Sequence, residues 1–178
     1  DEHPRRDTTV EKLAGLKVLH PEIEGFSITA GNSSGTNDAA AAVALVDRDY
    51  AEAENLTKMA TVKAWAAAGV APRDCGLGAV KVIGKVLQRA GLKPSDVALW
   101  EINEAFASVP IAACREYGID EELVNFSGSG CSLGHPIAAS GARMVTTLIY
   151  ALQRRGGGIG VAAMCAGGGQ GGAVVIEV

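Results

Sequence analysis

Apolar residues along this chain follow two spacings. Phe26 and Ile28 alternate with polar Ser27 and Thr29, and residues 59–65, 97–102, 159–164 and 173–178 are short apolar runs, the last of them β-branched, as strands require. Between these lie longer stretches of helical period. Residues 76–90 set Val82, Val86 and Leu87 against basic Lys81, Lys85 and Arg89, with Gly91 as the stop. Residues 105–117 and 138–152 read as further helices and 49–56 as a shorter one, while Thr8 or Thr9 is placed to cap a turn carrying Leu13 and Leu16. The small apolar run 39–46 fits a buried helical turn or a strand equally, because periodicity does not separate them at that length.

Strands alternating with helices predict an α/β layered domain. The connection between the runs 159–164 and 173–178 is glycine-rich and too short for a parallel crossover, so that pair is expected to be antiparallel and the sheet mixed.

A length of 178 residues suits one domain or a piece of something larger, and 48% hydrophobic with 20% charged residues is the composition of a folded core. A net charge of −4 offers no basic field to nucleic acid or an anionic membrane. The apolar runs are too short for a membrane span, and the polar start Asp1-Glu2-His3-Pro4-Arg5 is not a signal peptide. Four cysteines without a C-x-x-C pair point to a reducing compartment. Asp1 is not an initiator methionine, so a fragment or a processed chain is expected.

Several motifs fail on context. Gly167-Gly168-Gly169-Gln170-Gly171-Gly172 matches G-x-G-x-x-G, but a β-branched run follows where a helix must receive the pyrophosphate. Residues 78–85 resemble a phosphate loop one residue too long, and Val86 stands where a hydroxyl would hold magnesium. Cys131, His135 and Cys165 lack a fourth zinc ligand, and no G-x-S-x-G elbow is present.

Other positions carry chemistry beside a plainer alternative. His135, in Gly134-His135-Pro136 before a long helical pattern, is expected in the cap region with Pro136 as first helical residue; a helix N-terminus favours a neutral imidazole, a base or merely a cap. Cys165 ends a strand and begins a run of glycines, so it is a thiol beside accessible backbone N–H groups or an inert strand cysteine. Asn103-Glu104-Ala105-Phe106 projects at a strand's carboxyl end, where α/β proteins place their sites, or Asn103 caps the next helix. In the loop 31–38, Asn32, Ser33 and Ser34 offer hydrogen bonds to an amide-containing ligand, or the segment is only a turn.

Four blocks taken in order, Ala30-Gly31-Asn32-Ser33-Ser34-Gly35-Thr36-Asn37-Asp38, Asn103-Glu104-Ala105-Phe106-Ala107, Gly134-His135-Pro136 with Ser140-Gly141, and Cys165-Ala166-Gly167-Gly168-Gly169-Gln170-Gly171, resemble the C-terminal half of thiolases, enzymes that make or cleave β-ketoacyl-CoA. The resemblance implies two similar α/β halves, each with a mixed five-stranded sheet and helices on both faces, and a loop domain that holds CoA. Residues 1–30 would be the tail of that loop domain and 31–178 the C-terminal domain, the N-terminal half being absent. With it would go the nucleophilic cysteine, whose Cys-Gly-Ser-Gly context appears nowhere here, and Cys75, Cys114 and Cys131 do not stand in for it.

By the same resemblance His135 is the base that activates the nucleophile and helps hold the thioester oxyanion with a water positioned by Asn103. Cys165 is the second cysteine, exchanging a proton with the substrate carbanion at a near-neutral pKa, and the Gly167 N–H completes a second oxyanion hole. Arg5, or adjacent Arg6, would lie at the adenine end of CoA, Ser34 would bond the pantetheine, and Cys75 and Phe106 would line the acyl-pantetheine slot. No tightly bound cofactor is implied; CoA thioesters are substrates. Implied partners are acyl-CoA, CoA, an N-terminal half in the same or a companion chain and further copies in a dimer or tetramer, with neither nucleic acid nor a membrane span. The expected location is the cytoplasm, or an organelle matrix if an absent segment targets it. A non-catalytic CoA-binding or assembly module is the alternative. Two departures stand out: Cys75-Gly76-Leu77-Gly78-Ala79 where many members carry Met-Gly-x-Gly-Pro, and Gly128-Ser129-Gly130-Cys131-Ser132-Leu133 where biosynthetic members have a Gly-Gly-Ala run.

Overall fold

Three helices form where the apolar spacing places them, and each ends at a left-handed glycine. Helix α3 (Leu77–Ala90) buries Ala79, Val82, Ile83, Val86 and Leu87 on one face and stops at Gly91, φ 67°. Helix α4 (Ser108–Tyr117) stops at Gly118, and α5 (Ser140–Arg155), burying Met144, Leu148 and Leu152, stops at Gly156. Left-handed φ is the conformation glycine adopts without a Cβ penalty, which is why Gly91 was readable as a stop, and Gly118 and Gly156 end their helices in the same way. Two short helices precede them, α1 (Val10–Ala14), capped by Thr9, and α2 (Arg48–Ala53). The computed structural model describes residues 3–178, so the first two residues of the expected 1–30 segment lie outside the described residues.

Strands β1 (Thr61–Gly69), β2 (Leu99–Ile102), β3 (Ile159–Ala166) and β4 (Gln170–Glu177) make one sheet in the order β1-β4-β3-β2. β2 and β3 are parallel, whereas β4 is antiparallel to both β3 and β1, giving the mixed sheet. Alternate residues feed two cores. Trp100, Ile102, Val161, Ala163, Cys165 and Val175 pack with α3 on one face, and Leu99, Ala162 and Ile176 pack with α5 on the other.

The five-stranded expectation is corrected among the described residues to four strands and a single parallel bridge, Trp100 with Val124. Asn125 ends that pairing. Its φ of 51° turns the chain away, and its carboxamide takes the next rung, accepting from Ile102 N and donating to Ile102 O, both at 2.8 Å. Two other expected elements are absent. Residues 26–29 contribute one bridge, Val18 with Thr29, rather than a strand. The run 39–46 has no ladder partner among the described residues and leaves Leu45 79% exposed, so neither buried form is realised.

Strand β1 lies at the sheet edge, where unpaired carbonyls invite further pairing. Lys81, Lys85 and Arg89 of α3 donate to the carbonyls of Gly69, Ala67 and Trp65 at 2.9, 2.8 and 2.8 Å. A rise of about 6 Å per four helical residues matches about 6.7 Å per two strand residues, so the basic stripe tracks the edge. At the other end of the helix, backbones meet directly: a Cβ on Gly171 would fall 2.0 Å from Gly78 O, and one on Gly78 2.3 Å from Gln170 O. This clasp holds the start of α3 against the β3–β4 hairpin. No helix among the described residues is long and apolar enough to cross a membrane.

Candidate active site

The carboxyl end of the parallel β2–β3 pair is where the candidate residues collect. The ladder continues one residue past β2, with Asn103 N donating to Ala163 O at 2.9 Å. Alternation puts Leu99, Glu101 and Asn103 toward α5. Asn103 is fully buried and does not cap α4, whose N-cap is Ala107. Its carboxamide nitrogen lies against the His135 ring, 3.3 Å from Nε2 and 3.5 Å from Nδ1, and its Oδ1 is buried with no partner among the described residues.

His135 is held from both sides. Its backbone N–H donates to Asn37 Oδ1 at 3.0 Å, and the preceding Gly134 has φ 106° with no room for a Cβ beside Asn37. The Asn37 amide nitrogen in turn meets His3 Nε2 at 2.7 Å. Helix α5 does not begin at Pro136 as expected. Ala139 N and Ser140 N donate to Pro136 O at 2.8 and 3.0 Å in a separate turn, and the helix starts at Ser140. His135 therefore stands outside the cap, and the helix terminus is not what keeps it neutral. Burial pushes its pKa down, with the Arg143 guanidinium adding to the same direction. Ser140 Oγ lies 2.6 Å from Nδ1 and donates to Pro136 O at 3.2 Å, so the hydroxyl accepts from Nδ1–H. Nε2 is left as the basic nitrogen.

Cys165, the last residue but one of β3, lies on the α3 face and is buried. Burial, then the neighbouring Cys75 thiol, pushes its pKa up, so the near-neutral thiol expected from the sequence is corrected to one that holds its proton. Cys75, fixed by the α3 clasp, donates from Sγ to Ala166 O at 3.0 Å. Gly167 follows in the exposed hairpin turn, and a Cβ there would meet nothing within 4 Å. The fold does not demand that glycine, and the space over it is open.

The loop 31–35 docks antiparallel on the segment after Asn103: Ser34 N donates to Ala105 O at 3.0 Å, Ala107 N to Asn32 O at 2.9 Å, and Ser33 bridges Phe106. Ser33 thus stands opposite Phe106 and Ser34 opposite Ala105, with Phe106 40% exposed. Asn32 and Ser33 spend their side chains inside the loop, on Ser27 O at 2.9 Å and Thr29 O at 2.7 Å, and are not available as ligand donors. Arg5 is exposed in the N-terminal stretch, and its guanidinium makes no hydrogen bond or ion pair among the described residues. Asn103 and His135 are in contact, and Cys165 with Cys75 approaches the same sheet end from the opposite face.

Sequence reasoning named Asn37 and Ser140 within the family blocks but gave them no role, and it missed the pair Glu101–Arg143, which joins Oε2 to Nη1 at 2.6 Å. Burial pushes the Glu101 carboxyl up to about 7 in spite of that partner. A carboxylate inside an apolar strand was the available signal. No group of three His, Cys, Asp or Glu that could hold a metal occurs among the described residues.

The family model described as thiolase, C-terminal domain, matches residues 56–178, and that for the thiolase N-terminal domain matches residues 1–49. An acetyl-CoA acetyltransferase of Escherichia coli (strain K12) is 45% identical over 177 residues, 99% of this chain and 44% of the relative. The crystal structure of the Bacillus anthracis acetyl-CoA acetyltransferase superposes with a TM-score of 0.92 at 45% identity, over 99% of this chain and 44% of that one. Human mitochondrial 3-ketoacyl-CoA thiolase in complex with CoA superposes with a TM-score of 0.88 at 36% identity, with the same coverage of 99% and 44%. The chain spans less than half the length of these relatives. With a family model over most of its length and a mixed sheet that superposes end to end on solved members, the chain belongs to the thiolase family.

Proposed function

We propose that this chain supplies the acid–base half of a thiolase centre, cleaving a 3-ketoacyl-CoA with CoA or running the reverse Claisen condensation, with the nucleophilic cysteine coming from an N-terminal half. The observation that carries this reading is the contact of buried Asn103 with a neutral His135 whose Nε2 is basic, at the sheet end that also bears Cys165.

In the cleavage direction His135 Nε2 takes the proton of the incoming cysteine thiol, which attacks the 3-keto carbon. The Cα–Cβ bond then breaks and its electron pair leaves as the enolate of acetyl-CoA. Cys165, neutral because its pKa is raised, is the acid that protonates that carbon, leaving the acyl group on the nucleophilic cysteine. The Cys165 thiolate then takes the proton of the CoA thiol, whose sulfur attacks that acyl group and expels the cysteine, and the protonated His135 returns its proton to the leaving thiolate. The unpartnered Asn103 Oδ1 holds a water toward the thioester oxygen, and the Gly167 N–H faces the second developing oxyanion. Base and acid reach the substrate from the α5 and α3 faces of the sheet, so neither quenches the other. Ser34 and Phe106 receive the pantetheine and acyl chain, Cys75 lines the slot beside Cys165, and Arg5 meets the adenine end. CoA thioesters are substrates, with no resident cofactor. The chain works in the cytoplasm as part of a homo-oligomer.

The test is thiolysis of a 3-ketoacyl-CoA by an assembly that joins this chain to an N-terminal half bearing the nucleophile. His135→Ala and Cys165→Ala should each lower kcat by about 10²–10⁴, and the chain alone should not turn over. Near-normal rates in either variant, or robust turnover by the chain alone, would refute the assignment.

A further inference from the structure

Glu101 is fully buried on β2, two residues before Asn103 and on the same face. Its Oε2 accepts from Arg143 Nη1 at 2.6 Å, while Oε1 has no partner among the described residues. Arg143 belongs to the first turn of α5, three residues after the Ser140 that bonds His135. Its other arm, Nη2, reaches the buried Ser129 Oγ at 3.4 Å. Ser129 opens the turn that leads into Gly134-His135, accepting at its carbonyl from Leu133 N at 2.7 Å and Ser132 N at 3.1 Å. One guanidinium therefore joins the strand that carries Asn103, the turn that enters His135 and the helix that carries Ser140.

A buried ion pair is seldom the most stable choice, since apolar residues of similar volume hold a core as well or better. What a planar fork adds is direction: it fixes how far α5 is slid along β2 and at what rotation. A leucine pair at these two positions would tolerate a slide of an ångström, enough to part the Asn103 amide from the His135 ring.

We propose that Glu101 and Arg143 are positioning residues for His135, their buried pair setting the register of α5 on β2 so that the imidazole stays against Asn103 with Nδ1 on Ser140. This rests on reading His135 as the functional imidazole, yet it concerns geometry within the chain and is tested without turnover.

The experiment compares wild type, E101L, R143M and the double variant E101L/R143M of the intact chain by chemical denaturation and by imidazole NMR. R143M should be less stable than wild type because it leaves both oxygens of the buried Glu101 carboxyl without a partner among the described residues, and the double variant should recover much of that loss. In the recovered double variant the proposal expects the His135–Asn103 side-chain NOE to fall about threefold or more and the Nδ1–H tautomer to give way to a mixture. A double variant as stable as wild type that keeps both the NOE and the Nδ1–H tautomer would overturn it, leaving the pair a plain core contact. If the double variant does not fold, R143K, which keeps the charge and loses the fork, carries the same two readouts with the same criteria. Absent thiolase activity with these signatures intact in wild type would count against the functional reading and not against this one.

Discussion

Ser140→Ala removes one hydroxyl and tests the protonation state on which the proposed chemistry depends. Ser140 is 1% exposed, and its Oγ lies 2.6 Å from His135 Nδ1 and 3.2 Å from Pro136 O. At such burial water does not take the place of the lost oxygen, so the Nδ1–H is left without an acceptor at a cost of about 1–3 kcal/mol. Alanine returns a few tenths of a kcal/mol of helix propensity at the first helical position. The net loss is about 1–2 kcal/mol, a fall in Tm of roughly 3–6 °C for a chain of this length. The same bond biases the tautomer, and a bias of about 1.4 kcal/mol is a tenfold preference for Nδ1–H, so its loss should bring the Nε2–H form to comparable population. Thermal unfolding followed by circular dichroism reads the first effect, and imidazole nitrogen NMR at neutral pH reads the second. A variant with unchanged Tm and a ring still protonated at Nδ1 would show that Ser140 is not the acceptor and that Nε2 is not freed in this way.

Gly171→Ala drives a Cβ to 2.0 Å from Gly78 O, backbone against backbone, and should destabilise the chain by about 3 kcal/mol or more, whereas Gly167→Ala, with nothing within 4 Å, should leave stability within about 0.5 kcal/mol; denaturant titration of the two separates clasp from open site. Burial pushes Cys165 up and Cys131 up to about 11, so both should react with iodoacetamide at pH 8 at least about tenfold more slowly in the folded chain than in the urea-unfolded one; equal rates by peptide mass spectrometry would contradict the raised values. The Glu101 carboxyl, raised from 4.5 to about 7, binds a proton in the folded state that the unfolded state has released, so its contribution to stability declines as pH rises through that window. His135, lowered from 6.5, acts oppositely, costing stability as pH falls below 6.5. Glu101→Gln removes only the first effect, and its stability relative to wild type should climb between pH 5 and 8 by up to about 3 kcal/mol; a difference independent of pH would refute the raised carboxyl.

Helices α3 and α5, the hairpin β3–β4 and the mixed sheet were legible in the chain because a period of 3.6 or 2, a glycine stop and a short connection are local properties. The family blocks around Asn103, His135 and Cys165 were legible for the same reason, each being a handful of consecutive residues. The fifth strand was not, since Asn125 replaces a backbone rung with its own carboxamide, a choice no periodicity records. Nor was the start of α5, which waits for Ser140 because Pro136 O satisfies the N–H groups of the turn before it.

By itself the order of residues determined the α/β class, the longer helices, the hairpin and the family blocks that hold the candidate side chains. The tertiary structure alone decided what those side chains face: the His135 pKa is lowered by burial and Arg143 rather than by a helix end, and the Cys165 thiol holds its proton because it is buried beside Cys75. Electrostatics and desolvation depend on distances across the fold, and Asn37 and Glu101 reach the His135 region from 98 and 34 positions away in the chain. Such distances come into being only when the sheet and its helices pack.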